Sequence, residues 1–237
     1  MTLLFLAFTL MVSAQWKNKT IRGNGNVVTI ERSVGEYESI SSAGWFDVIL
    51  VGGKEGTLSI EGEENLLEYV ETEVKNGNLT VKVEKGYNLK SSGRKGGITV
   101  TIPIEEINAV SLAGSGDVIS KTTIETDSFK AALAGSGDVN LSVKATSFKA
   151  SLSGSGDMEL EGSAGTFKVS VAGSGDIDAF GLTADYVEAS VAGSANLNVT
   201  ANQGIKARVA GSGDITYKGN PTKIDSKTSG SGDISSY

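Results

Sequence analysis

The sequence predicts an all-β chain wound as a parallel β-helix (solenoid) of about 19-residue coils, with an irregular β N-terminal region. Two observations carry this. A four-residue Gly-Ser-Gly-Asp turn recurs seven times at near-constant spacing, which means one structural unit stacked on itself. Between the turns, apolar and polar residues alternate at period two, the pattern of strands with one face inward.

The turn copies begin at Gly114, Gly135, Gly154, Gly173, Gly193, Gly211 and Gly230, spaced 21, 19, 19, 20, 18 and 19 residues apart. Each closes on an acid (Asp117, Asp138, Asp157, Asp176, Asp214 and Asp233), except one copy reading Ala195-Asn196. The glycines suit a corner needing positive φ without a Cβ clash. The acid is expected to close its own turn by accepting backbone N–H bonds, as Asx turns do, and Asn196 serves the same purpose without charge.

Around each turn the unit reads strand, tight turn, strand, looser turn. Phe148-Lys149-Ala150-Ser151-Leu152 precedes one corner, and Met158-Glu159-Leu160 follows it. Two short strands cannot bury their inner faces alone, but coils stacked about 4.8 Å apart pair each strand with its copy. Phe129, Phe148 and Phe167 are expected to stack, giving way to Val187, Ile205 and Ile224, and Ala131, Ala150 and Ala207 suit a narrow interior.

Residues 24–106 are expected to hold a degenerate first coil and a β insertion, and 107–237 the tandem coils. Ile40–Leu50 reads as that first coil, with Gly44 and Asp47 at the turn positions. Beyond it lie about two hairpin-like strands around Leu58/Ile60 and Leu79/Val81/Val83, with Asn76-Gly77 a hairpin turn. Glu64–Tyr69 is one helical turn or a loop, and the Gly- and Lys-rich 86–97 an exposed loop. Residues 15–237 form one domain with no linker inside it.

Residues 1–14 have the apolar run Leu3–Phe8 and the small-residue cleavage pattern Val12-Ser13-Ala14 of a signal peptide, although no Lys or Arg precedes the run. The expectation is export to the periplasm, cell surface or medium. The chain has no Cys, so neither disulfides nor a lipidated N-terminal Cys is available. No other apolar stretch is long enough to span a bilayer, so the mature chain is not expected to be transmembrane. A net charge of −7 argues against nucleic acid and against a polybasic membrane anchor.

These pieces together resemble the putative auto-transporter adhesin, head GIN domain family. The matching segments are Val34-Gly35-Glu36-Tyr37-Glu38-Ser39-Ile40 with Phe46-Asp47-Val48, then Glu64-Asn65-Leu66 and Val74–Val81, and the tandem Gly-Ser-Gly-Asp turns. The match covers about residues 24–237. The resemblance implies a right-handed single-stranded parallel β-helix and an exported protein of Bacteroidetes type, with no catalytic residues to carry over. The repeats run to Tyr237 without a C-terminal β-barrel segment, a departure from a true autotransporter.

Three functions compete. The first is a non-enzymatic adhesin or envelope scaffold that binds a glycan or a cell-envelope protein, solenoids being suited to extended contact surfaces. Trp45, Tyr69 and Tyr87, where the repeat breaks, are its candidate partner-binding residues, against the alternative that Trp45 plugs the N-terminal end. Lys130, Lys149, Lys168 and Lys206 share one repeat position with Glu188 and Asp225, a basic stripe or simply a solvated strand face.

The second is a carbohydrate-active β-helix enzyme. It is disfavoured because the chain has no His, its turns are too short for a cleft, and its carboxylates recur at equivalent positions. The third is a calcium-stabilised repeat with Asp117, Asp138, Asp157 and Asp176 as metal candidates. Turn capping is the better account, since calcium wants six to eight oxygens from a dedicated loop. No cofactor is expected. The last coil, Ser229 to Tyr237, shows no evident cap in sequence, and its strand edges offer a route to self-association.

Overall fold

The computed structural model describes residues 18–93 and 97–237. The expected leader, 1–14, lies outside them. The chain begins with β1 (Lys19–Arg22), β2 (Val27–Gly35), β3 (Ser39–Gly44), β4 (Asp47–Gly52) and β5 (Gly56–Glu63). A single helical turn, α1 (Glu64–Leu67), leads to β6 (Val70–Lys75), β7 (Asn78–Val83), β8 (Tyr87–Lys90), β9 (Thr99–Ile104) and β10 (Ala109–Gly114). The array follows as β11 (Val118–Gly135), β12 (Val139–Gly154), β13 (Met158–Gly173), β14 (Ile177–Gly193) and β15 (Asn196–Gly211). It closes with β16 (Asp214–Lys218), β17 (Lys223–Gly230) and β18 (Ile234–Ser236).

The fold is a β-solenoid of about 7 coils of roughly 19 residues. Each coil pairs in parallel with the next, and the corner glycines fall opposite one another from Gly44 through Gly114 to Gly135 and onward. The first coil is β3 and β4, with Gly44 and Asp47 where the repeat places them. Phe129, Phe148, Phe167, Val187, Ile205 and Ile224 occupy one register column. The phenylalanine centroids lie 5.6 and 5.2 Å apart, within the range of favourable tilted contacts.

The expected two strands per coil are one. From corner to corner the chain stays paired as a single strand of 16 to 18 residues. The looser bend shows only in burial. In β12, Val139, Leu141 and Val143 point inward, then Phe148, Ala150 and Leu152, with Lys144, Thr146 and Ser147 exposed between them. Side chains alternate at period two, so an odd coil length requires the inward set to change parity once per coil. The bend performs that change while parallel pairing continues on both sides of it. Coils longer or shorter than 19 residues carry register shifts as well, between Ile119 and Thr123, between Glu159 and Gly162 and between Ala179 and Thr183.

The N-terminal region is richer than two hairpin-like strands. Five strands, β5 to β9, lie between β4 and β10, and four of them, β5, β6, β7 and β9, extend the sheet of the first coil. On one side β7 pairs in parallel with β3 and β6 returns antiparallel, through a turn with positive φ at Asn76 and Gly77. On the other, β9 pairs with β4 and with β5, which pairs with β2. Leu58, Ile60, Leu66, Leu79, Val81, Val100 and Ile102 fill the space beneath. The stretch expected as an exposed loop over 86–97 contributes β8, which pairs with β1 as a separate two-stranded sheet. Residues 94–96 of that stretch lie outside the described chain.

The last coil is more polar than the coils before it. Ser226 and Thr228 stand in register with the buried Ala207 and Val209, and Ser236 with Tyr217. Hydroxyls thus replace apolar side chains at inward positions of the last coil, the polar outer face that a terminal repeat requires. Lys223, Asp225 and Lys227 add charge to the edge strand β17, which opposes edge pairing.

Candidate interaction surfaces: corners, N-terminal cap and charge column

Both glycines of a corner lie against the preceding coil, a Cβ on Gly135 meeting the Gly114 carbonyl oxygen at 2.0 Å, and the first is required by its φ as well. The first is left-handed in backbone, with φ of +146° at Gly114 and Gly135, +134° at Gly154, +138° at Gly173, +135° at Gly211 and +127° at Gly230. The second is held by contact, not by φ: a Cβ on Gly137 would sit 1.9 Å from the carbonyl oxygen of Gly116. Coils approach one another too closely there for any side chain of ordinary size.

The corner acids do not close their own turns. The backbone N–H of each donates to the carboxylate of the preceding coil: Asp117 to Asp47 at 3.2 Å, Asp138 to Asp117 at 3.0 Å, Asp157 to Asp138 at 3.1 Å and Asp176 to Asp157 at 2.8 Å. The ladder is therefore a staple between coils. Asn196 donates both its backbone N–H and its side-chain amide to Asp176, and the next coil turns elsewhere, Asp214 N–H bonding the Ala195 carbonyl at 3.1 Å. The ladder resumes with Asp233 on Asp214 at 2.8 Å. At its foot, Asp47 has a raised pKa because it is partly desolvated, with the Asp117 charge adding to the effect. Among the described residues, no group of three or more carboxylates is arranged to hold a metal ion.

Of the three candidate aromatics, the structure brings two together. Tyr69 and Tyr87 stack with centroids 4.5 Å apart, both partly buried against the cap. Trp45 occupies the serine position of the first corner and is partly buried against the core. The plug of that corner is its neighbour Phe46, which takes the position of the second glycine and is buried. β7 and β9 pair beneath β3 and β4 without a Gly-Ser-Gly-Asp corner between them, so the ring takes the position that glycine holds in the later corners.

Glu63, which composition and periodicity do not mark, is the buried carboxylate of the cap at 0% exposure. It accepts the N–H of Gly25 and, at 2.8 Å, that of Ser92, tying the loops at the ends of β1 and β8 together. Burial alone would raise its pKa, but bonds from Ser92, Gly25 and Ser91 together lower it to about 2. Arg32 does a related service, donating to the carbonyls of Leu67 and Val70 at the end of α1.

The charge column is mixed. Lys168 and Lys206 both pair with Glu188, at 2.8 and 3.0 Å, and their hydrogen bonds lower its pKa. Arg208 reaches Asp225 at 2.6 Å. Lys130 and Lys149 make no ion pair among the described residues, which leaves the basic stripe two coils long.

The family model described as putative auto-transporter adhesin, head GIN domain, matches residues 36–221. The chain belongs to that family. Solved structures share the head GIN architecture. A putative adhesin from Bacteroides fragilis is 28% identical with a TM-score of 0.82, covering 92% of this chain and 100% of that one. A putative lipid binding protein from Parabacteroides distasonis is also 28% identical, with a TM-score of 0.77 over 92% of this chain and 100% of that one. A putative adhesin from Parabacteroides merdae, 22% identical with a TM-score of 0.72 over 92% and 99%, shares the fold. No curated protein matches this head GIN chain in sequence. No helix among the described residues is long and apolar enough to cross a membrane.

Proposed function

We propose that the mature chain, residues 15–237, is a non-enzymatic exported solenoid that serves as an adhesin or scaffold of the bacterial envelope and binds a glycan or an envelope protein. The observation that carries this is the Asp ladder. The carboxylates that recur at the corners are spent on inter-coil hydrogen bonds and do not converge on a reacting centre. Family membership supports an adhesive role, and the 1–14 segment supports export to the periplasm or surface. Binding falls on the lateral faces or the cap, since the hydroxyl- and charge-lined last coil disfavours end-to-end self-association.

The test is to isolate the chain from envelope and medium fractions, sequence its N-terminus, and screen it against envelope polysaccharides and envelope proteins. A start near Gln15, retention of at least one envelope component and no change in polysaccharide chain length are expected. Shortening of any polysaccharide overturns the non-enzymatic assignment.

A further inference from the structure

A groove of about 760 Å³ runs along the solenoid axis on the outer side of β13, β14, β15 and β17. Neither the corners nor the cap accounts for it. Its aromatic wall is Tyr186, 44% exposed. The register partner of Tyr186 in the next coil is Gly204, and the ring lies against it: a Cβ there would come within 3.1 Å of Cδ1. Glycine lets the ring settle on the backbone and keep its other side open. The preceding coils place Ser147 and Thr166 in the same column, so no bulky neighbour covers the ring from that direction.

The second wall is the chain of charges Lys168, Glu188 and Lys206 on three successive coils, joined at 2.8 and 3.0 Å. Ile224, 54% exposed, lies at the far end. Strand β14 is paired with β13 and β15 on its two sides, so the middle of the groove offers no free edge for an added peptide strand. The three charges of the wall sum to only one positive charge, and Lys223 and Asp225 at the far end offset each other, so the groove attracts an ionic ligand weakly while its ammonium and carboxylate groups still hydrogen-bond a neutral one. An open ring face beside hydroxyls and paired charges suits a ligand with an apolar C–H face and a rim of hydroxyl groups.

We propose that this groove binds a neutral saccharide chain laid along the solenoid axis, stacked on Tyr186 and hydrogen-bonded by the Lys168–Glu188–Lys206 wall. The proposal rests on the binding function above and gives it a place and a ligand class. The solenoid supplies what a chain ligand needs, hydroxyl, aromatic and charged side chains at register positions about 4.8 Å apart across successive coils.

The experiment measures binding of the full chain to neutral hexasaccharides of glucose, mannose, galactose, xylose and N-acetylglucosamine, with sulfated and uronic-acid oligosaccharides alongside. Binding of at least one neutral chain is expected, with affinity falling about tenfold or more in Tyr186→Ala, a loss of roughly 1.4 kcal/mol or greater. Tyr186→Phe should bind nearly as the parent, Ser136→Ala on an exposed corner should be unaffected, and added salt should change little. Far-ultraviolet circular dichroism of Tyr186→Ala should match the parent, because the residue is half exposed. Equal affinity in Tyr186→Ala, or binding confined to charged oligosaccharides and abolished by salt, overturns the proposal. Retention of envelope components without any neutral hexasaccharide overturns it while leaving the broader binding function standing. Cleavage of a bound hexasaccharide overturns the non-enzymatic assignment while leaving the groove as the site.

Discussion

The backbone N–H of Asp138 bonds the carboxylate of Asp117, 3.0 Å away in the preceding coil. A turn-closing acid would make every corner self-sufficient. An acid that accepts from the coil above makes each corner depend on its neighbour, and so joins local turn formation to stacking. Cooperativity of the array has a chemical component here besides its shared core.

Asp138→Asn is therefore expected to change stability by less than about 0.5 kcal/mol, because the amide oxygen still accepts the Asp157 N–H. Asp138→Leu removes the acceptor and should cost about 1 to 2 kcal/mol. Millimolar calcium should leave the Tm unchanged for both. Urea midpoints and thermal melts decide it, and a rise of several degrees with calcium that Asp138→Asn abolishes would restore the metal reading.

Gly137→Val should be far more damaging than Ser136→Ala. The cause is the 1.9 Å approach to the Gly116 carbonyl, a backbone atom that cannot rotate away. Overpacking of this kind costs about 3 kcal/mol or more, whereas truncating the exposed serine should stay within about 0.5 kcal/mol. Comparable urea midpoints for the two would mean the coils are not in contact at this corner.

The array was legible because its contacts are nearly local: each residue pairs with the one a coil away, so sequence period and spatial neighbour coincide. Gly44 and Asp47 could be placed for the same reason. The insertion could not, because β9 joins both β4 and β5 and nothing periodic marks those partners. Glu63 was invisible, its donors lying 38 and 29 residues away in sequence. The polarity of the last coil was legible in principle. Ser226 and Thr228 fall at positions that hold Ala207 and Val209 one coil earlier, and only the alternation phase was needed to see it. Tyr186 gave no signal, being one aromatic in a column of Ser and Thr.

Phe148→Ala should destabilise by about 3 to 5 kcal/mol, since Phe148 is buried between Phe129 and Phe167. Ile224→Ala, in the same column but half exposed at its end, should cost under about 1 kcal/mol. Chemical denaturation of the pair measures how much of the column's stability comes from being sandwiched. Equal losses would show that the last coil is as tightly packed as the middle.

At the first corner, Phe46→Ala should cost about 3 kcal/mol or more by opening a cavity under the first coil. Trp45→Ala, which removes a partly exposed ring, should cost less than half of that. Urea midpoints of the two variants assign the plug. A larger loss at Trp45 would return that role to the tryptophan.

The last prediction follows from Glu63. Its carboxyl titrates at about 2 in the folded protein, well below the ordinary value near 4.5, because N–H groups of Ser92 and Gly25 favour the charged form. A group whose folded pKa is depressed contributes stability that is fully present above the unfolded pKa and lost as pH falls through the folded one. The clamp between the β1 and β8 loops should hold down to about pH 4.5 and loosen between there and about pH 2. Hydrogen exchange of amides 19–26 and 87–92 reads this directly. The parent should keep its protection from neutral pH to about pH 5 and lose it below, ahead of the array. Glu63→Gln should show weaker protection already at neutral pH and a flatter acid profile, since an amide offers one acceptor oxygen where the carboxylate offers two. Loss of protection above pH 5, or superimposable profiles for the two proteins, would mean that another group holds the clamp.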